Sequence, residues 1–132
     1  MTIKTVTTDK ASPAIGPYSQ AIKVGNMVYT SGQIPMTPEG ILIDGDIHDQ
    51  TRQVLSNLQH VLEEAGSGLD KIIKTTIYLT DMNNFVAVNT IYAEYFVGSF
   101  PARSTVAVKT LPKNVDVEID AIAVASSQEY SF

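Results

Sequence analysis

The run Val115-Asp116-Val117-Glu118-Ile119-Asp120-Ala121-Ile122-Ala123-Val124 alternates for ten residues, and no other feature narrows the fold as much. A period of two belongs to a β-strand, whose successive side chains leave opposite faces. Val115, Val117, Ile119, Ala121 and Ala123 share one face, suited to a core under helices. The other face carries Asp116, Glu118, Asp120, Ile122 and Val124, a mixture of acids and branched apolar groups. A half-apolar sheet face without helices of its own calls for a partner, and a homo-oligomer in which such faces meet supplies one. A solvated antiparallel face is the rival reading.

The rest of the chain supplies a layer to cover the first face. Ile3 to Thr7 alternates and reads as a strand, and Ala21–Val24 and Met27–Ser31 flank Gly25-Asn26 as a hairpin. Between them, Pro13, Gly16 and Pro17 enforce a stiff extended loop around Tyr18. Gly32 to Gly45 is a second loop. Asp46 is placed to cap a helix in which Val54, Leu55, Leu58, Val61, Leu62 and Ala65 form one apolar stripe, with Gly66 as the stop. Ile72 to Thr80 is a strand with Ile73, Thr75, Ile77 and Leu79 on one face, and a second helix spans about 84 to 96, capped by Asp81 or Asn83. Two final strands, Ser104–Lys109 and Val115–Val124, read as a C-terminal hairpin joined by residues 109–114. The expectation is an α+β single domain over residues 1–132, with both helices packed on one face of a mixed sheet.

Composition removes several functions. A net charge of −5 with scattered lysines offers no basic stripe, which argues against nucleic-acid binding. With no cysteine there is no disulfide, thiol nucleophile or cysteine-ligated zinc. His48 and His60 lack a third ligand at metal spacing, so no metal site is expected. The polar stretch Met1–Lys10 lacks the apolar core of a signal peptide, and no apolar run reaches the ~20 residues of a membrane helix. The expected location is the cytoplasm, with no membrane partner.

Four places could carry chemistry. Arg103, one of two arginines in the chain, follows a proline at the mouth of a strand. Its planar fork fits a carboxylate bidentately, although a surface arginine beside one of fourteen acids is an equally ordinary reading. Tyr18 could line a site or merely anchor its loop, and Ser31-Gly32 could simply end a strand. Asn89 borders the apolar stripe between Phe85 and Tyr92, where its amide needs partners, a ligand or a neighbouring backbone. Glu118 on the open face is solvated if that face is free; covered by another subunit it becomes a proton acceptor near neutral pH. No Ser/His/Asp triad and no phosphate-binding glycine loop can be assembled.

Taken together, Ala14-Ile15-Gly16-Pro17-Tyr18-Ser19-Gln20-Ala21, Tyr29-Thr30-Ser31-Gly32-Gln33-Ile34-Pro35, Pro101-Ala102-Arg103-Ser104 and Val117–Ala123 resemble the Rid (YjgF-type) family of reactive-intermediate deaminases. The resemblance runs over nearly the whole chain without large insertions. It implies a chorismate-mutase-like fold, a homotrimer with ligand clefts between subunits, and no cofactor. The implied reaction is hydrolysis of 2-imino acids, such as 2-iminopropanoate and 2-iminobutanoate, to 2-oxo acids and ammonia. By the same resemblance Arg103 grips the substrate carboxylate, Glu118 positions or deprotonates water, and Tyr18, Ser31, Gly32 and Asn89 line the cleft. Many members carry cysteine where this chain has Thr105; the thiol is lost, while the main-chain carbonyl that can hold the water remains. Two other readings stand beside this one. A trimeric module could bind small carboxylates without turnover, and a nuclease or translation inhibitor is disfavoured by the charge.

Overall fold

A computed structural model describes residues 2–126. Its elements are β1 (Ile3–Val6), β2 (Ala21–Val24), β3 (Met27–Thr30), α1 (Ile47–Glu64), β4 (Ile72–Leu79), α2 (Phe85–Glu94), β5 (Ala102–Ala107) and β6 (Val117–Val124). The strands form one sheet in the order β1-β2-β3-β6-β4-β5, antiparallel except for β4 and β5. Both helices lie on one face of this mixed sheet, the α+β architecture expected.

Local chemistry explains most boundaries. Gly25 takes φ +59° in the β2–β3 turn, a value open to glycine at no steric cost. Asp46 accepts the Asp49 amide at 3.0 Å and starts α1. The helix ends in a Schellman motif: the Ser67 amide donates to the Leu62 carbonyl and the Gly66 amide to that of Glu63, with Gly66 at φ +80°. The α1 stripe is buried as spaced, with Val54, Leu55, Leu58, Val61 and Leu62 fully enclosed. Each such side chain contributes about 1.5–3 kcal/mol of hydrophobic stabilisation. They pack on Val28, Ile77, Leu79, Val117, Ile119, Ala121 and Ala123 of the sheet.

Three expectations need correction. β5 and β6 are not a hairpin: β5 runs parallel to β4, and β6 lies on the other side of β4, next to β3. The physical reason is α2, which makes β4-α2-β5 a crossover unit and therefore sets β5 parallel to β4. The fully alternating β6 takes a central position, while the more polar β5 becomes an edge. Ile73 does not share a face with Thr75, because a bulge between Ile72 and Lys74 turns Ile72 into the core and leaves Ile73 exposed. The second helix is shorter than expected, entered through a 3₁₀ turn at Met82–Asn84 that Asp81 caps, and ending at Glu94. Among the described residues no helix is long and apolar enough to cross a membrane.

Candidate functional site

Glu118 sits on the open face of β6 and lines a cavity of about 420 Å³ with Tyr18, Ser31, Gly32, Ile34 and Lys113. The walls are fixed by buried amides. Gln20 donates to the carbonyls of Thr8 and Ser12 and accepts the Thr8 amide, holding the proline-rich loop in place. In that loop the Tyr18 hydroxyl accepts the Ile15 amide at 3.3 Å, leaving the ring half exposed. Ser31 Oγ donates to the Ser19 carbonyl at 2.5 Å. Asn57 of α1 donates to the carbonyls of Ile34 and Met36, and the Gln33 and Ile119 backbones exchange a pair of hydrogen bonds. That pairing lays Gly32 directly against Glu118: a Cβ at position 32 would stand 1.8 Å from Glu118 Oε2. A glycine at this position is thus what lets the Glu118 carboxylate lie where it does. Desolvation, followed by the charge of Asp120, pushes the Glu118 carboxyl above its usual value.

Arg103 occupies a different place. It pairs with Thr75 in the β4–β5 register, and Thr75 is a buried residue of the helix-covered face. The guanidinium therefore meets α2. Its Nη1 donates to Asn89 Oδ1 at 2.8 Å, and it lies over the rings of Tyr92 and Phe85, at 5.1 and 5.6 Å from their centroids. Tyr92 is itself anchored, its hydroxyl 2.7 Å from Thr75 Oγ1. Arg103, Asn89, Tyr92, Phe100 and Pro101 line a second recess of about 450 Å³. Arg103 has no carboxylate partner among the described residues, whereas Arg52 is bonded to Glu94 at 2.8 Å.

The expected residues therefore fall into two groups: Tyr18, Ser31, Gly32 and Glu118 in one cavity, Asn89 and Arg103 in the other. Glu118 is paired with Tyr78 on the open face, so Arg103 and Glu118 lie on opposite faces of one sheet. They do not stand side by side in one chain. Thr105 shares the Arg103 face, lines neither cavity, and its buried hydroxyl has no hydrogen-bond partner. Sequence reasoning missed Tyr92 as a support for Arg103, although its spacing of three from Asn89 was a usable signal. It also missed Lys113, whose placement depends on the left-handed pair Lys113 and Asn114 at φ +59° and +57°.

The chain thus sets a braced guanidinium, without a carboxylate partner among the described residues, on one sheet face and a partly buried carboxylate on the other. Comparison with known proteins gives the family. Residues 8–125 match the family model described as endoribonuclease L-PSP, and the chain belongs to this family, the Rid (YjgF-type) proteins. It is 46% identical over 124 residues to the 2-iminobutanoate/2-iminopropanoate deaminase of Escherichia coli K12, covering 92% of this chain and 97% of that one. The crystal structure of YyfA, a Rid-family protein of unknown function from Yersinia pestis, superimposes with a TM-score of 0.91 at 53% identity, covering 94% of this chain and all of that one. Escherichia coli TdcF with bound serine gives a TM-score of 0.89 at 44% identity, covering 93% of this chain and 99% of that one.

Proposed function

We propose that this protein hydrolyses 2-imino acids to 2-oxo acids and ammonia, in a cleft that two copies of the chain complete. The observation that carries the reading is Arg103: a partly buried arginine, braced by Asn89 and two aromatic rings, with no acid to neutralise it among the described residues. A charge held that way is stabilised when an anion arrives, and its fork fits a carboxylate. The identity to a named iminobutanoate deaminase and the serine-bound relative support a small amino- or imino-acid ligand.

In this reading the open face of one copy packs against the β5 edge of the next in a homotrimer. Arg103 and Asn89 of one then face Glu118, Tyr18, Ser31 and Gly32 of the other. Arg103 fixes the substrate carboxylate and so aligns C2 of the iminium. Water adds to C2 and gives a proton to Glu118. Glu118 passes that proton to the nitrogen of the resulting carbinolamine. The C–N bond breaks as the C2 hydroxyl loses its proton to Glu118, and the departing ammonia takes that proton, giving the 2-oxo acid and ammonium and leaving Glu118 ionised. An iminium carbon is already electrophilic, so positioning and one proton relay suffice. The family resemblance adds the Thr105 main-chain carbonyl, on the β5 edge that meets the next copy, as a hold for the water.

The test couples the purified protein to a serine or threonine dehydratase and follows imine decay by semicarbazide trapping. Faster decay than in buffer is expected. Decay at the buffer rate would sink the enzyme and leave a trimeric carboxylate-binding module.

A further inference from the structure

Glu118 has charged company on the open face. Tyr78 of β4 stands directly opposite it in the ladder, and the Tyr78 hydroxyl donates to Asp120 Oδ2 at 3.0 Å. Asp120 is two residues further along β6 on the same face, opposite Thr76. Burial, then the bond to Asp120, raises the Tyr78 hydroxyl above the usual tyrosine range, so it remains a donor at neutral pH. Lys74 lies on the same face of β4, opposite Ile122 and on the far side of Asp120 from Glu118, and Tyr29 of β3 also stands opposite Ile122. Asp116 is engaged by Gln50, whose Nε2 donates to its carboxylate at 3.0 Å. Tyr18 and Lys113 stand in the cavity wall, and the segment from Ser31 to Ile34 brings no titratable side chain.

Resting on the reading of Glu118 as the proton-handling group, we propose that Asp120 is a positioning residue for it: pinned by Tyr78, it holds a fixed negative charge two residues away on the same strand face. The need is chemical. A carboxylate with ordinary affinity accepts a proton from water poorly. In the assembled cleft, Arg103 of the second copy and the iminium itself both favour ionised Glu118 and weaken it further as a base. A fixed negative charge on the same strand face opposes them. Asp120 is suited to that work and not to the proton transfer, because it lies outside the cavity lining and Tyr78 occupies one of its oxygens.

The experiment follows the carboxyl carbons of ¹³C-glutamate-labelled full-length protein by NMR against pH, with Glu118→Gln identifying the Glu118 signal, and measures kcat against pH alongside. Asp120→Asn should move the Glu118 midpoint and the acid limb of kcat together to lower pH, with the melting temperature checking the fold. Asp120→Glu should restore both. Tyr78→Phe, which removes only the pinning hydroxyl and lets Asp120 turn to water, should move the midpoint the same way by less. If the midpoint stays put in both Asp120→Asn and Tyr78→Phe, the proposal is overturned. If the midpoint moves and the acid limb does not, the catalytic role of Asp120 is overturned. A moving midpoint in a protein that hydrolyses no imine would leave the coupling standing and overturn the deaminase reading instead.

Discussion

Replacing Gly32 by alanine isolates the placement of Glu118. The backbone at Gly32 lies outside the left-handed region, so alanine meets no torsional penalty there. The new Cβ would stand 1.8 Å from Oε2, 2.6 Å from Cδ and 2.9 Å from Cγ of Glu118. Relief requires the carboxylate oxygen to retreat by roughly 2 Å to reach ordinary contact distance. The end of a glutamate can move that far for about 0.5–1.5 kcal/mol of rotamer strain, and the gain of alanine over glycine in the unfolded chain offsets part of it. The fold should therefore survive with a melting temperature within a few degrees of wild type. Catalysis should not, because a misplacement of about 1 Å costs on the order of 10²-fold in rate. The semicarbazide assay should show kcat falling by roughly that factor. In a Glu118→Gln background the same substitution should cost almost nothing more, since the two changes act on one group. Wild-type turnover in Gly32→Ala, or a full additional loss in the double variant, would refute the reasoning.

Three further outcomes follow from the same geometry. Arg103→Lys keeps the charge and loses the fork, so KM should rise about tenfold or more while assembly is unchanged by light scattering; an unaltered KM would remove the carboxylate clamp. Glu118→Gln should lower turnover and raise stability at neutral pH. Burial and Asp120 lift the folded-state value of Glu118 above the ordinary glutamate range, so the stability linked to this group is full below that range and is lost as pH rises. The gain in melting temperature should fade as the buffer approaches pH ~4.5, and a gain that grows on acidification would reverse the sign of the argument. Thr105→Val removes a buried hydroxyl without a partner and should stabilise the free protein by about 1 kcal/mol or leave it unchanged; a loss of that size in denaturant melts would reveal a partner for that hydroxyl.

Much of the fold was legible because patterning and capping agree. The α1 stripe, its Asp46 cap and its Gly66 stop each have a local cause, and the alternation of β6 names its buried residues. Strand order was not legible: whether β6 pairs with β5 or β4 is decided by the crossover through α2, which no local motif encodes. The Ile73 error has the same origin, since one bulge shifts the alternation and leaves no mark in composition. For the candidate site, residue types pointed to Arg103, Glu118, Tyr18, Ser31, Gly32 and Asn89. Their division between two faces follows from register, which the sequence does not display. The close approach of Glu118 to Gly32 depends in turn on the Gln33–Ile119 bridge, a contact between distant segments.

Arg103 and Glu118 on opposite faces of one sheet make a single decisive measurement available. Arg103→Ala and Glu118→Gln proteins, each expected to turn over far more slowly than wild type, are mixed in equal amounts under conditions that allow subunit exchange, and imine hydrolysis is followed. If the cleft takes Arg103 from one copy and Glu118 from another, random reassembly of trimers leaves roughly a quarter of the clefts with both groups intact. The account predicts recovery of about that fraction of wild-type turnover; a mixture that exchanges subunits and stays as slow as its parents would contradict it.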